Sequence, residues 1–212
     1  MIEHNNKYRL NHLNNEEIIK LCTSLREEFI QTILETGGHF AGNLGVVELT
    51  TALLANFAPP KDSIIWDVGH QSYIYKMLTG RRDSLHTIRQ KDGLSGFPKM
   101  DESDYDAFGT GHSSTALSAS LGIATAKFLR QDSSKTIAIV GDGALTGGMV
   151  WEALNNTIPG DIVKVRPGNY TEHIHAYTDN VKIIAADGVY LNGEFCVYAN
   201  NVTISGFNIE TN

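Results

Sequence analysis

The spacing of apolar residues changes once along this chain of 212 residues, at about Thr157. Before that point, apolar side chains recur at steps of three and four, and these stretches alternate with short apolar runs typical of buried strands. After it, short β-branched runs separated by Gly, Asn and Asp continue along the rest of the chain. The simplest interpretation is a module boundary that divides the chain into residues 1–156 and 157–212.

The first module has the pattern of an α/β fold. Residues 14–36 predict an amphipathic helix that begins with a capping box of Asn14 and Glu17 and ends at Gly37. Further helices are predicted over about 46–57, 73–80, 113–129 and 149–156, and strands over 63–67 and 136–140. Because strands alternate with helices, we expect a parallel sheet.

The second module contains an internal repeat. Triplets with an apolar, polar, apolar pattern begin at Val163, Val181 and Val202, at offsets of 18 and 21 residues. A second strand-like element recurs between them, so each repeat is expected to supply two short strands. The aromatic residues at the matching positions are expected to stack in the core; they are Tyr170, Tyr190 and Phe207. This spacing predicts a short parallel β-solenoid.

Composition excludes several classes of function. The net charge is −7, with 17 basic and 24 acidic residues and no Lys/Arg-rich run, so we expect no nucleic-acid partner. Residues 1–17 are polar and lack the apolar core of a signal peptide, so we expect neither secretion nor a membrane span. Cys22 and Cys196 lie far apart without metal-ligand spacing. A reducing, cytoplasmic location is the resulting expectation.

A Gly-Asp-Gly turn follows the predicted strand 136–140 and carries Asp142. Ligands of parallel α/β sheets bind at the carboxyl ends of the strands. Magnesium that bridges phosphates needs hard oxygen ligands and backbone that can approach closely. Asp142 is therefore a candidate ligand for such a cation. The alternative is an ordinary turn, for which this tripeptide is equally suited.

Three histidines, His39, His70 and His112, lie next to glycine in predicted loops. Imidazoles titrate near neutral pH and can transfer protons or donate hydrogen bonds to phosphate oxygens. The alternative is that each is a polar loop residue that caps a helix. Arg81 and Arg82 could hold an anion bidentately or form a solvated pair at a helix end.

Five motifs occur in order along the first module; they are GGHFAGNLG at 37–45, WDVGHQ at 66–71, TGRRD at 79–83, GHSS at 111–114 and GDGALT at 141–146. Over about residues 26–156 this set resembles the N-terminal domain of the 1-deoxy-D-xylulose-5-phosphate synthase family. These enzymes are thiamine-diphosphate-dependent transferases related to transketolase. Separately, parts of residues 159–207 resemble the right-handed β-helix repeats of pectate-lyase-like proteins.

The first resemblance implies a cofactor site and its residues. Asp142 would bind Mg²⁺, and Gly143 and Ala144 would contact the diphosphate. His39 would face the reacting carbon as a proton-transfer or substrate-positioning group. The remaining residues implied to line thiamine diphosphate are His70, Gly111, His112 and Ser113. The implied reaction condenses pyruvate with glyceraldehyde 3-phosphate with loss of CO₂, toward isoprenoids and thiamine, in a homodimer.

The chain departs from the family pattern in two respects. The family completes its magnesium site with an Asn beyond the Gly-Asp-Gly turn, in a region that here belongs to the repeat module; Asn155 and Asn156 match a helix position instead. The Glu that activates the cofactor's pyrimidine belongs to a second domain. The resemblance therefore implies a partial or inactive synthase. Two alternatives stay open: a structural or binding protein whose β-solenoid attaches to a polysaccharide or a partner, and a hybrid of two unrelated genes.

Overall fold

A computed structural model describes residues 8–144, 149, 162–165, 168–170, 173–176, 181–185, 188–192 and 194–210. The chain divides into two compact units. The first unit is Met1–His112 with Gln131–Ile139, and the second is Ser113–Arg130 with Val140–Asn212. The module boundary at residue 157 stays a prediction, because residues 150–161 lie outside the described part of the chain.

Helix α1 of the first unit spans Asn15–Thr36, as predicted. Its N-terminus is closed by the predicted capping box, in which the side chain of Asn14 accepts from the backbone N–H of Glu17 at 3.0 Å. The carboxylate of Glu17 accepts in return from the backbone N–H of Asn14 at 2.8 Å. Gly37 ends the helix with a φ of 74°. The side chains that α1 buries are Cys22, Leu25, Phe29 and Ile33.

Three shorter helices follow; they are α2 (Ala41–Leu44), α3 (Val47–Asn56) and α4 (Tyr73–Lys76). The chain leaves α4 through a π-helical turn, Met77–Arg81, and a 3-10 turn, Arg82–Thr87. Gly80 has a left-handed φ of 92° within this segment, which interrupts regular helix geometry. The helix predicted over 46–57 is confirmed, and the one predicted over 73–80 is regular only in its first turn.

Strands β1 (Ser63–Trp66) and β2 (Thr136–Ile139) pair in parallel, as predicted. The carboxylate of Asp62 lies just before β1, where Oδ2 accepts from the backbone N–H of Ala58 at 2.7 Å. Its Oδ1 accepts from the backbone N–H of Lys135, just before β2, at 2.7 Å. One side chain therefore joins the beginnings of both strands and supports their register.

The core of the first unit packs around β1, all four residues of which are buried. Large side chains with almost no exposure include Leu25, Phe29, Leu54, Trp66, Tyr73 and Tyr75. Burying one large apolar side chain contributes roughly 1.5–3 kcal/mol relative to leaving it exposed. Residues of α1, α3 and α4 also belong to this cluster. The loop between β1 and α4 is therefore held at both ends by packed elements.

The described residues of the second unit begin with α5, Ala116–Leu129, which confirms the predicted helix from residue 116 onward. A single 3-10 turn, Asp142–Ala144, follows β2. The helix predicted over 149–156 lies outside the described residues except for Met149. No helix in the described part of the chain combines the length and apolar character needed to cross a membrane.

Eight short strands complete the described residues; they are β3 (Ile162–Val165), β4 (Gly168–Tyr170), β5 (His173–Ala176), β6 (Lys182–Ala185), β7 (Val189–Asn192), β8 (Glu194–Val197), β9 (Thr203–Ser205) and β10 (Asn208–Glu210). All pair in parallel, each with the strand three further along the chain. The resulting sheets are β3-β6-β9, β4-β7-β10 and β5-β8. The expectation of two strands in each repeat is wrong, because β5 and β8 also form a ladder.

The register of the first of these sheets differs from the sequence alignment of the repeat. Val163 lies opposite Ile183, and Ile183 lies opposite Ile204. The alignment of Val163 with Val181 is therefore wrong by two residues. A slip of two residues leaves the predicted alternation unchanged, because side-chain direction in a strand repeats every two residues.

The expected aromatic stack does not form in the sheet of β4, β7 and β10. Asn169 lies opposite Tyr190, and Tyr170 lies opposite Leu191. Tyr190 is 49% exposed, whereas its neighbour Leu191 is fully buried. The expectation for Tyr190 is wrong by one residue, and a one-residue slip exchanges the two faces of a strand. Phe207 packs against Val181 and Ile183, as an apolar core residue.

Candidate functional site

His39 and His70 are neighbours in the first unit. His39 lies just before α2 and His70 in the loop after β1, with ring centroids 5.5 Å apart and an interplanar angle of 67°. The rings of Tyr73 and Phe97 lie 6.1 and 5.7 Å from that of His39. The fold therefore brings together two of the three predicted histidines, in an aromatic environment.

Asn43 joins the two histidine loops. Its Nδ2 donates to the backbone carbonyl of His39 at 2.7 Å and to that of His70 at 2.8 Å. Its Oδ1 accepts from the backbone N–H of Tyr73 at 2.8 Å. The side chain is fully buried. The sequence analysis missed Asn43, although the available signal was an amide residue inside a glycine-rich motif, four positions after His39.

Two glycines allow these loops to approach each other. A Cβ on Gly42 would lie 3.0 Å from both Cδ2 and Nε2 of His70. Gly69 has a left-handed φ of 85°, and a Cβ there would collide with Pro98 and Thr110. Side chains at these positions would therefore push the loops apart, which explains the physical need for glycine in both motifs.

Burial and charge tune the ionisable groups around the pair. Burial, the neighbouring His70 and the guanidinium of Arg89 all lower the pKa of His39 below its ordinary value of 6.5. His39 is therefore mainly neutral at pH 7 and has one ring nitrogen free of a proton. Burial raises the pKa of Tyr73 above its ordinary value of 10.0, so this phenol keeps its proton. His39 can therefore accept a proton, and the uncharged ring of Tyr73 lies beside it.

Two buried oxygens near Gly69 have no hydrogen-bond partner among the described residues: Oε1 of Gln71 and Oγ1 of Thr110. Leaving a buried polar atom unpaired costs about 1–3 kcal/mol, which a bound polar ligand would offset. These atoms adjoin the residues that the family resemblance assigns to a cofactor. The hydroxyl of Thr110 can donate to an oxygen of a bound diphosphate, whereas Oε1 of Gln71 only accepts and needs an N–H or O–H of the ligand, so the region fits a polar ligand that offers both donors and acceptors.

The residues after Thr110 lie at the surface. Gly111, His112 and Ser113 are exposed, and a Cβ on Gly111 would meet no atom within 4 Å. An open glycine backbone suits close approach of a phosphate oxygen. The predicted roles of these residues are compatible with their exposure and stay predictions.

The Gly-Asp-Gly turn belongs to the second unit. Oγ of Ser114 donates to the carbonyl of Ala144 at 2.6 Å, which joins this turn to the segment before α5. Gly143 is exposed and Ala144 is buried. The sequence analysis chose Ser113 and missed Ser114, although both belong to one motif.

The predicted magnesium ligand can be followed only in part. The backbone of Asp142 begins the 3-10 turn, whereas its side chain lies outside the described part of the structure. Within the described part, no group of three His, Cys, Asp or Glu residues is placed to hold a metal ion. The role of Asp142 therefore stays a prediction.

A cluster of four charged residues joins the end of α4 and the turn after it to the segment 102–106. Arg81 pairs with both oxygens of Asp106, at 2.7 and 2.9 Å, and with Glu102 at 2.9 Å. Lys76 forms an ion pair with Glu102 and lies 3.9 Å from Asp106. The side chains of Lys76 and Asp106 are almost completely buried. Two cations and two anions therefore balance each other within the fold.

The interpretation of Arg81 and Arg82 as an anion-binding pair is wrong. The guanidinium of Arg81 is occupied by Asp106 and Glu102, as described above. Nε of Arg82 donates to both carboxylate oxygens of Glu28, at 2.9 and 2.8 Å. Carboxylates of the chain itself therefore bind each guanidinium group bidentately, so both arginines form internal ion pairs.

The parallel strands β1 and β2, with helices along the chain between them, define an α/β protein, a class in which ligands commonly bind beyond the carboxyl ends of the strands. Comparison with known proteins identifies the family within this class. The chain belongs to the 1-deoxy-D-xylulose-5-phosphate synthase family, whose family model matches residues 1–164. That family depends on thiamine diphosphate, generally with Mg²⁺, and uses pyruvate and glyceraldehyde 3-phosphate.

Individual relatives carry the same name. The 1-deoxy-D-xylulose-5-phosphate synthase of Natranaerobius thermophilus is 58% identical over 147 residues, which are 69% of this chain and 23% of that protein. The synthase of Treponema pallidum (strain Nichols) is 47% identical over 197 residues, which are 93% of this chain and 29% of that protein. The chain thus spans about a quarter of the length of the curated relatives it matches.

Proposed function

We propose that this chain provides the N-terminal, thiamine-diphosphate-binding part of a 1-deoxy-D-xylulose-5-phosphate synthase. The proposed reaction condenses pyruvate with glyceraldehyde 3-phosphate and releases CO₂. The observation that carries the proposal is the pairing of His39 and His70 by Asn43, in glycine-rich loops of a chain that belongs to this family. A cytoplasmic homodimer is the proposed setting.

Each site residue has a role in this proposal. Asp142 would hold Mg²⁺, and the backbone of Gly143 and Ala144 would approach the diphosphate oxygens. Thiamine diphosphate supplies, when bound, a carbon nucleophile for the new C–C bond. His39, mainly neutral at pH 7, would accept and return a proton at its unprotonated ring nitrogen. The remaining proposed cofactor contacts are His70, Gly111, His112 and Ser113.

We further propose that these 212 residues by themselves bind the cofactor weakly and do not turn over substrate. The chain spans about a quarter of its relatives' length, which supports this proposal. A diphosphate site without the family's pyrimidine-activating Glu cannot form the reactive carbon centre.

Calorimetry of the 212-residue chain with thiamine diphosphate and Mg²⁺ tests the binding site. We expect a Kd above about 1 μM, which corresponds to a binding free energy weaker than about −8 kcal/mol. Asp142→Ala should weaken binding further, whereas Asp101→Ala, at an exposed position of the first unit, should not change it. Submicromolar binding would contradict the weak-binding proposal, and insensitivity to Asp142→Ala would remove Asp142 from the site.

A carbon dioxide assay with pyruvate and glyceraldehyde 3-phosphate tests turnover. We expect no release above background from the 212-residue chain. Turnover that disappears in His39→Ala would show that the chain is active by itself, and would confirm the role proposed for His39.

For the second module we propose a short parallel β-solenoid. The proposal is supported by the pairing of β3 to β10, in which each strand pairs with the third strand after it and three parallel sheets result. This arrangement also keeps open a binding or structural role for residues 157–212, which a pull-down on immobilised polysaccharides would test. The hybrid alternative is disfavoured, because the family model matches residues 1–164 and the alignment with the Treponema pallidum synthase covers 93% of this chain, so both matches cross residue 157. Sequencing the encoding DNA across residue 157 in an independent sample tests it, and finding a different sequence beyond the junction would support it.

A further inference from the structure

The bonds described above use both donors of the buried Asn43 amide and one of the two acceptor positions of its oxygen. Both donors of Nδ2 are taken, one by the carbonyl of His39 and one by the carbonyl of His70. Oδ1 accepts from the backbone N–H of Tyr73. The three partners lie on two segments: His39 in the loop before α2, and His70 and Tyr73 in the continuous stretch that leads from β1 into α4.

The side chain of Asn43 thus links the two loops whose separation determines the distance between His39 and His70. His39 and His70 are 31 positions apart in the sequence, and the same NH₂ group anchors both backbone carbonyls. We propose that Asn43 is a positioning residue, which sets the separation of His39 and His70 and so presents both imidazoles to the ligand of this site. The identity of that ligand rests on the function proposed above, whereas the spacing is a property of the chain itself.

Few side chains could replace the amide of Asn43 at this position. An ionised Asp would have no donor and would place a negative charge against two carbonyl oxygens. A Ser would offer a single donor, and an Ala none. Only an amide of this length supplies two donors and one acceptor without further movement of the loops. Losing such a buried amide is therefore expected to separate the loops rather than to exchange one set of partners for another.

The titration of His39 reports on this separation. Three titratable or charged groups face its ring from the neighbouring elements: His70 after β1, Tyr73 on α4, and Arg89 after the 3-10 turn. Burial, His70 and Arg89 lower the pKa of His39. If the carbonyl anchors are lost, the ring of His39 gains water and moves away from His70, so its pKa rises toward the ordinary value.

The experiment compares Asn43→Ala with the matched variant Asn56→Ala by NMR titration of the histidine ring protons, in the full chain without cofactor. Nδ2 of Asn56 also donates to a backbone carbonyl, that of Ala52 at 2.8 Å, but at an exposed position of α3. We expect the pKa of His39 to rise in Asn43→Ala and to stay at the wild-type value in Asn56→Ala. A folded Asn43→Ala chain with an unchanged His39 titration would overturn the proposal.

Hydrogen exchange of the wild-type chain provides the test if Asn43→Ala does not fold. The side-chain amide protons of Asn43 should exchange at least about tenfold more slowly than those of Asn56, since opening the anchor requires local unfolding. Equal exchange rates would overturn the anchor. Both measurements omit thiamine diphosphate, so a chain that fails to bind it would contradict the proposed function and leave the positioning role of Asn43 standing.

Discussion

Arg81 and Asp106 meet through two parallel hydrogen bonds, from Nη1 to Oδ2 at 2.7 Å and from Nη2 to Oδ1 at 2.9 Å. Oδ2 also accepts from the backbone N–H of Lys99 at 2.9 Å. The pair thus fastens the irregular segment 94–110 to the turn after α4. Since Pro98 and Thr110 of that segment press against Gly69, the buried charges support one wall of the histidine loops.

Asp106→Asn should reveal the contribution of this pair to stability. The substitution leaves Arg81 buried without its bidentate partner, and breaking a buried ion pair in this way costs about 3–5 kcal/mol. Urea unfolding followed by circular dichroism measures the loss. Glu48→Gln is the matched control, because the Arg26–Glu48 pair is exposed and such pairs contribute about 0–1 kcal/mol. Equal losses in the two variants would contradict the supporting role of Asp106.

Stability should fall on acidification through Glu102. Burial alone would raise the pKa of this carboxyl, but hydrogen bonds from Lys76 and the backbone of Ser95 outweigh it and hold the pKa below its ordinary value of 4.5. A group with a lowered folded-state pKa stabilises the fold above its unfolded-state pKa, and this stabilisation is lost as pH falls through the folded-state pKa. Urea midpoints should therefore decrease from about pH 4.5 downward, less steeply in Glu102→Gln. Parallel pH profiles would contradict this assignment.

Gly69→Ala should be strongly destabilising. A left-handed non-glycine residue costs about 1–3 kcal/mol, and the collision of the new Cβ with Pro98 and Thr110 adds an overpacking cost of about 1–3 kcal/mol. Thermal unfolding measures the sum. Gly122→Ala in α5 is the control, since a Cβ there meets no atom within 4 Å, and it should stabilise the helix by about 0.5–1 kcal/mol. A wild-type Tm for Gly69→Ala would contradict this prediction, since it would mean that the loops accommodate the new Cβ without loss of stability.

Two neighbours on β7 test the register of the second unit. Leu191 is fully buried, so Leu191→Ala should cost about 2–5 kcal/mol. Tyr190 is 49% exposed on the opposite face, so Tyr190→Ala should cost less than about 1 kcal/mol. Urea unfolding of both variants gives the comparison. A larger loss for Tyr190→Ala would restore the aromatic stack expected from the repeat alignment.

The elements of the first unit follow from local rules, which is why the sequence predicts them well. The capping box of Asn14 and Glu17 and the apolar spacing of α1 act within a few residues. The register of β4 and β7 is decided by contacts between repeats. Aligning the repeats on their aromatic residues predicted this register wrongly by one residue, because Tyr190 lies opposite Asn169 and not opposite Tyr170. The strands β5 and β8 were missed although His173–Ala176 alternates between polar and apolar residues, because the repeat was aligned on its Val-containing triplets.

The candidate site shows the same division between local and non-local information. Motifs identified His39 and His70, because glycine-flanked histidines are visible in the sequence. Asn43 escaped notice because its importance comes from the bonds to His70 and Tyr73, which lie in a stretch 27 to 30 positions away that only folding brings to it. The pairing of Arg81 with Asp106 escaped for the same reason, since these residues lie 25 positions apart.

The Asp62 bridge between the two strands of the first unit has a consequence for biosynthesis. Asp62 and Lys135 are separated by 73 positions, so β1 cannot find β2 until translation has passed the second strand. At bacterial and eukaryotic elongation rates this interval lasts roughly 4–15 seconds. During it, the apolar segment Ser63–Trp66 has no strand partner on that side and is a target for chaperones. The nascent chain is therefore most vulnerable to aggregation between the synthesis of its two core strands.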